Sequence, residues 1–163
     1  MTISWYGEAC FLLESSGVRV LIEPPQKESG INPPRLKSDI LIYSKSRNSE
    51  GSPNGPETGT FVIDSPGEYE IKGISILGIA DGKNTIYSIE VEGIKICHLG
   101  FLSNDLNNET LTLIGDPDIA LVPIGGLSAQ AGGDVLDAES AMKLINKIEP
   151  SIAIPMIYDI KEL

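Results

Sequence analysis

Residues 38–50 read SDILIYSKSRNSE, an apolar, strand-like run that changes abruptly into a polar loop at Ser44. Proteins of the α/β class present their functional sites where a core strand ends and a loop begins. No large apolar residue occurs from Ser44 to residue 60, and this part is rich in glycine and proline. The stretch therefore predicts a core strand followed by a solvated, mobile loop that carries site residues.

On both sides of this stretch, strand-like runs alternate with turns. Residues 3–22 predict a hairpin, residues 24–38 a surface loop, and residues 61–99 a series of mostly antiparallel strands that turn at glycines. The second half is more α/β in character. It predicts a short helix over residues 108–113, a loop between the glycine pairs at 125–126 and 132–133, a helix capped by Asp137, and a last strand over residues 151–158.

Length and composition limit the class of protein. The 163 residues are 41% hydrophobic, which suits one domain covering residues 1–163. The net charge of −11 opposes a phosphate backbone, and no apolar run is long enough to cross a membrane, so we expect an acidic, cytoplasmic protein that binds neither nucleic acid nor membrane. Cys10 and Cys97 lie in apolar runs and are predicted to be buried, reduced thiols.

Five further blocks can be compared with known families. They are WYGEACF at 5–11, DSPGEYEIKG at 64–73, ICHLG at 96–100, LVPIGG at 121–126 and IPM at 154–156. In this order, and together with residues 38–50, they resemble the metallo-β-lactamase superfamily, in particular its small metal-dependent hydrolase branch. The resemblance implies an α/β fold, a four-layer αββα sandwich with two mixed β-sheets. Since such relatives generally continue further, it also implies that the second half is shortened at the C-terminus.

The same resemblance identifies positions where the family carries histidine or aspartate for its metal site, including a His-x-His-x-Asp-His motif that begins at residue 45. Those positions here hold Glu8, Lys45, Arg47, Ser49, Glu50, Phe101 and Ile157. An ammonium or guanidinium group has no lone pair to donate to a metal. We therefore expect a vacated site that binds no metal and no other cofactor.

The vacated positions predict an interaction of their own. Because the family's side chains at these positions converge, Glu8, Lys45, Arg47 and Glu50 are a candidate ion-pair cluster in which two cations replace the charge of the ions. Two alternatives stay open at this point. Lys45 and Arg47 can instead point into solvent, or they can hold a small anion.

Metal-independent chemistry has little support in the sequence. The single histidine, His98, lies in an apolar strand and is predicted to be a core residue hydrogen-bonded to backbone. Ser44, Ser46 and Ser49 have no histidine partner that the sequence identifies, so no catalytic residue is assigned.

These observations favour a catalytically inactive member of the fold that acts as a binding or assembly module and is not an enzyme. The alternative is a metal-dependent hydrolase of the lactone or phosphoester type with an atypical or weakened site. We also expect a homodimer or a protein partner, because a sheet layer that ends at residues 154–158 without its closing element leaves apolar surface exposed.

Overall fold

A computed structural model describes residues 1–25, 37–45, 58–128 and 133–158. The first sheet has five strands in the order β1-β2-β3-β4-β5, which are Thr2–Trp5, Phe11–Ser15, Val18–Ile22, Ile40–Ile42 and Phe61–Ile63. The pairs β1-β2 and β2-β3 are antiparallel, whereas β3-β4 and β4-β5 are parallel. The sheet is therefore mixed, and its parallel strands β3 and β4 end at the same edge.

The second sheet has six strands in the order β13-β10-β9-β8-β7-β6. In chain order they are β6 Gly67–Ile71, β7 Ile74–Asp81, β8 Asn84–Val91, β9 Ile94–His98, β10 Ile119–Pro123 and β13 Ile152–Met156. Strands β6 to β9 are antiparallel neighbours, and β10 is parallel to both β9 and β13. This sheet is also mixed, and β13, which contains Pro155, forms one of its edges.

The main core lies between the two sheets and follows from the alternation of side chains along each strand. In β3 and β4, Val20, Ile22, Ile40 and Ile42 face this core and are all fully buried. Leu21, which lies between two of them, points to the opposite face of the sheet and belongs to a separate buried cluster there. The two-residue period that predicted these strands is therefore the period that builds the core.

Two helices cover the outer face of the six-stranded sheet. Helix α1, Asn108–Ile114, is capped by the Asn107 side chain, and helix α2, Ala138–Ile148, is capped by the Asp137 side chain, which accepts a hydrogen bond from the Ser140 backbone N–H. The apolar face of α2 packs against the sheet through three buried residues, Ala141, Leu144 and Ile148. The two helices begin at these residues because the asparagine and aspartate side chains accept hydrogen bonds from free N–H groups of the first helical turn.

The structure confirms the predicted fold class, with two mixed sheets and helices in one α/β sandwich. One local prediction is wrong in part. Three of the glycines predicted to bracket a flexible loop lie in strands, since β11 Gly125–Ser128 and β12 Gly133–Asp137 pair as a third, two-stranded antiparallel sheet. Residues 129–132, between the two strands, lie outside the described residues. Most of the two loops predicted over 24–38 and 44–60 lies outside the described residues, and the assignment of 1–163 to a single domain stays a prediction.

Helix α2 offers a test of the packing with its own control. We expect Leu144→Ala to lower the free energy of unfolding by about 2–5 kcal/mol, because Leu144 is fully buried and its loss leaves a cavity. Met142→Ala changes the opposite face of the same helix, where Met142 is 56% exposed, and should cost less than about 0.5 kcal/mol. Urea denaturation measures both values. Equal losses would contradict this packing.

Candidate functional site

The candidate site lies where the parallel strands of both sheets end. Ser44 and Lys45 follow β4, Phe101 follows β9, and Ile157 follows β13 directly. The turn that contains Glu8 joins this group, because the Ile157 backbone N–H donates to the Glu8 carbonyl at 3.3 Å. We call these residues and their immediate contacts the strand-end rim. Of the seven vacated positions, the structure thus places Glu8, Lys45, Phe101 and Ile157 on the rim, while Arg47, Ser49 and Glu50 lie outside the described residues.

Lys45 and Phe101 contact each other across the rim. The Lys45 Nζ lies 4.3 Å from the centroid of the Phe101 ring, within the range of a cation–π interaction. Burial lowers the pKa of Lys45, and the negative charge of Glu23 partly opposes that shift. The ammonium therefore contacts an aromatic face and is stabilised by the negative charge of Glu23.

Glu23 fixes the start of the polar loop. Its carboxylate accepts a hydrogen bond from the Ser44 backbone N–H, and the carboxylate-bearing residue is itself buried. On the other side, the Ser44 carbonyl accepts from the Thr85 backbone N–H at 2.7 Å, at the start of β8. Ser44 is thus bonded to both sheets.

His98 is fully buried between the sheets. Its Nδ1 accepts the Gly100 backbone N–H at 3.1 Å, which confirms the prediction of a core histidine bonded to backbone. The prediction that Ser44 lacks a histidine partner is wrong, since the Ser44 Oγ lies 3.4 Å from the same Nδ1. Two donors at Nδ1 assign the ring proton to Nε2. Ser44 and His98 are both buried from solvent, so this pair links the rim to the core.

Burial lowers the pKa of His98 to about 4, and a contact with the Ala9 backbone opposes this only in part. The His98 Nε2 has no hydrogen-bond partner in the described part of the chain, so its contact with Ala9 falls short of hydrogen-bond geometry. The imidazole is therefore neutral at physiological pH.

Asn84 holds the turn that presents Phe101, and the sequence analysis missed it. Its Nδ2 donates to the Leu99 carbonyl at 3.1 Å, and its Oδ1 accepts the Phe101 backbone N–H at 2.9 Å. Gly100 lies between Leu99 and Phe101 with a φ angle of +61 degrees. A Cβ at this position would lie 2.6 Å from the Ser44 Cβ. A single sequence does not reveal a partner 15 residues away.

Glu8 and Ile157 both have backbone conformations that are unusual for their residue types. Their φ angles are +49 and +54 degrees, and positive φ is rare for a β-branched residue such as isoleucine. The Glu8 carbonyl also accepts the Trp5 Nε1–H at 3.0 Å, and the Trp5 ring stacks on Tyr158 at 5.6 Å. Burial raises the pKa of the Glu8 carboxyl.

The proposed four-member ion-pair cluster remains a prediction, because Arg47 and Glu50 lie outside the described residues. What the structure adds is the surroundings of one member. The groups identified beside Lys45 are the Phe101 ring and the charge of Glu23.

The rim residues do not fit the metal that the fold family implies. A zinc site needs at least three converging nitrogen, sulfur or carboxylate donors. Lys45, Phe101 and Ile157 offer an ammonium, a hydrocarbon ring and an aliphatic chain in their place. Within the described ranges, no group of three or more His, Cys, Asp or Glu side chains lies close enough to hold a metal ion. Neither α1 nor α2, the helices found in those ranges, is long and apolar enough to span a membrane.

Comparisons with known proteins support the scaffold. Residues 2–157 match the family model described as Beta-lactamase superfamily domain. A metal-dependent hydrolase of Thermoplasma acidophilum is 28% identical over 198 residues, which cover 100% of this chain and 85% of the relative.

Solved structures give the same result. A candidate Zn-dependent hydrolase of the metallo-β-lactamase superfamily from Thermotoga maritima superposes with a TM-score of 0.81 at 31% identity, covering 98% of this chain and 76% of that chain. A metallo hydrolase from Ignicoccus hospitalis shares the fold, with a TM-score of 0.68 at 20% identity over 96% of this chain and 82% of that chain.

The buried His98 predicts a specific pH dependence. Its pKa is 6.5 in the unfolded chain and about 4 in the folded protein, so the unfolded state binds the extra proton between these values. The stability that neutral His98 contributes is complete above pH 6.5 and decreases as the pH falls towards 4. The total loss expected from this shift is about 3 kcal/mol.

The control for this experiment is His98→Asn, whose Oδ1 can still accept the Gly100 N–H but does not titrate. Urea unfolding is measured at several pH values for both proteins, and the slopes are compared, since other carboxyl groups titrate in both. The wild type should lose stability more steeply than the variant between pH 6.5 and 4. Identical slopes would contradict the assignment of a buried, neutral His98.

Proposed function

Because the chain belongs to the metallo-β-lactamase superfamily, we propose that it uses the superfamily's scaffold for binding or assembly and not for metal-dependent hydrolysis. The observation that carries this proposal is the contact of the Lys45 ammonium with the Phe101 ring on the strand-end rim. A fixed cation repels a divalent metal ion, and a phenyl ring supplies no donor. The rim therefore carries a positive charge that belongs to the protein itself, on Lys45.

The rim has features suited to a binding surface. Trp5 and Tyr158 are stacked and each a little over one third exposed, at 37% and 38%, so they offer aromatic area with polar edges. Aromatic residues of this kind are enriched at protein interfaces because they bury a large area at little cost in conformational entropy. Lys45 adds a cation that is already partly buried in the folded protein.

The alternative is a metal-dependent hydrolase of the lactone or phosphoester type with an atypical site. The comparisons favour this alternative more directly than the binding module, since the relatives are named for that activity. Three of the seven family site positions, Arg47, Ser49 and Glu50, also lie outside the described residues. The two candidates make opposite predictions about metal.

Metal titration separates them. The protein is treated with a chelator, dialysed, and then titrated with Zn²⁺ or Mn²⁺ while the melting temperature is followed. A ligand that binds only the folded state raises that temperature in a saturable way. We expect no saturable rise, no metal in the protein as purified by elemental analysis, and no turnover of a lactone or a phosphodiester.

The matched control is Phe101→Asp, which places a carboxylate where the family carries its aspartate and tests whether one restored donor changes the response. Near-stoichiometric metal in the wild type, together with turnover that a chelator abolishes, would establish the hydrolase and exclude the binding module.

We further propose that the chain forms a homodimer or binds a protein partner over the edge that β13 provides. Ile152 is 53% exposed on this strand, and Met142 is 56% exposed on α2, which precedes it. Multi-angle light scattering at tens of micromolar protein should show a dimer or, with partner present, a complex. A monomer at all concentrations tested, with no protein co-purifying, would contradict this proposal.

The compartment we propose is the cytoplasm. Cys10 and Cys97 are both free and buried, as predicted, and burial raises the pKa of each thiol to about 12. Thiols kept reduced in this way suit a reducing compartment.

A further inference from the structure

A groove on the outer face of the six-stranded sheet lies apart from the strand-end rim. It has a volume of about 410 Å³ and runs over strands β6 to β9 beside the last turn of α1. Two rows of side chains cross it, because residues in register on neighbouring strands point to the same face. One row contains Glu68, Leu77 and Ser88, and the other contains Glu70, Ser75, Glu90 and Lys95.

Ser88 is the unusual member of this surface. The residue is only 6% exposed and lines the groove, yet its hydroxyl makes no hydrogen bond to any of the residues that the structure describes. The fully buried side-chain atoms without a hydrogen-bond partner in the described residues are the Arg19 Nε and the His98 Nε2, so the Ser88 hydroxyl is open to the groove. A hydroxyl at this position is available to a donor that enters the groove.

Carboxylates outnumber cations among the residues that line the groove. Glu68, Glu70 and Glu90 are all exposed along it. The cation among the lining residues, Lys95, is directed towards the end of α1, where its Nζ donates to the Ile114 carbonyl at 3.4 Å. The groove therefore attracts a positively charged ligand.

Apolar area lies between these charges. Leu113 is 48% exposed at the side of the groove, and Leu77 lies half-buried in its floor. Long cationic side chains commonly lay their aliphatic stems on apolar surface while the charged end meets a polar group. Leucine flanked by carboxylates is the complement of such a side chain.

We propose that this groove binds a basic segment of a partner protein. Lysine or arginine stems lie on Leu77 and Leu113, the charged ends meet Glu68, Glu70 and Glu90, and one N–H donates to the Ser88 hydroxyl. Strand spacing places the backbone positions of Glu70 and Glu90 about 10 Å apart, and those of Glu68 and Glu70 about 7 Å apart. Cations at alternate positions of an extended segment match the shorter spacing, which favours a segment with several cations over a single amine.

The test uses an isotope-labelled full chain and a synthetic peptide in which lysine alternates with leucine and serine. Amide chemical shifts locate the binding site, and calorimetry gives the Kd. We expect the largest shifts at Leu77, Ser88 and Leu113. Glu70→Gln combined with Glu90→Gln should weaken binding at least about fivefold, and Ser88→Ala should weaken it about threefold or more.

The control pair is Glu139→Gln with Glu149→Gln, which removes two charges from the α2 region, where both residues are exposed. Because the net charge changes equally, this pair should leave the Kd within about twofold if binding is local to the groove. The spectra of the variants also report whether each one is folded.

Three results would overturn the proposal. They are an absence of peptide binding at millimolar concentration, chemical shift changes outside the groove, and an equal loss of affinity in the control pair. If spermidine binds the groove as tightly as the peptide, the occupant is a free polyamine and the assignment to a protein segment is wrong.

Discussion

The end of β4 joins the two sheets, and the geometry of the rim depends on that joint. The Tyr87 hydroxyl, on the six-stranded sheet, donates to the Tyr43 carbonyl at 2.9 Å, and the Thr85 N–H donates to the Ser44 carbonyl at 2.7 Å. Tyr87 is fully buried, so this bond is shielded from competing water. Through it, the opposite sheet helps to position the residues that directly follow β4.

This joint is held by hydrogen bonds between groups of the protein itself. Glu23, Ser44 and His98 form a buried polar network in which the Glu23 carboxylate and the neutral His98 ring accept hydrogen bonds from backbone N–H groups. A structural metal contributes folding energy where a core is small, but here the two sheets enclose a large apolar core. The scaffold around Lys45 and Phe101 is therefore held by this core and this network.

Sequence patterns predicted most of the strands, the Asp137 cap and the buried thiols because each of these depends on neighbours a few residues away. The apolar run in residues 39–43 and the Asp137 cap are examples. The Ser44 to His98 contact could not be predicted in this way, since the partners are 54 residues apart and meet only through sheet packing. The β11-β12 hairpin was also missed, because its glycines favour a loop by local preference while pairing between the strands stabilises a sheet.

Pro155 has a consequence for how the six-stranded sheet can grow. On β13, the Ile152 N–H bonds inward to the Asp118 carbonyl, so the alternation of a parallel ladder turns Ala153 and Pro155 outward. A proline there has no N–H to offer, which interrupts the row of donors that an incoming strand would need. The edge is therefore protected against runaway strand addition and amyloid-like stacking, and any association at β13 has to proceed through side chains.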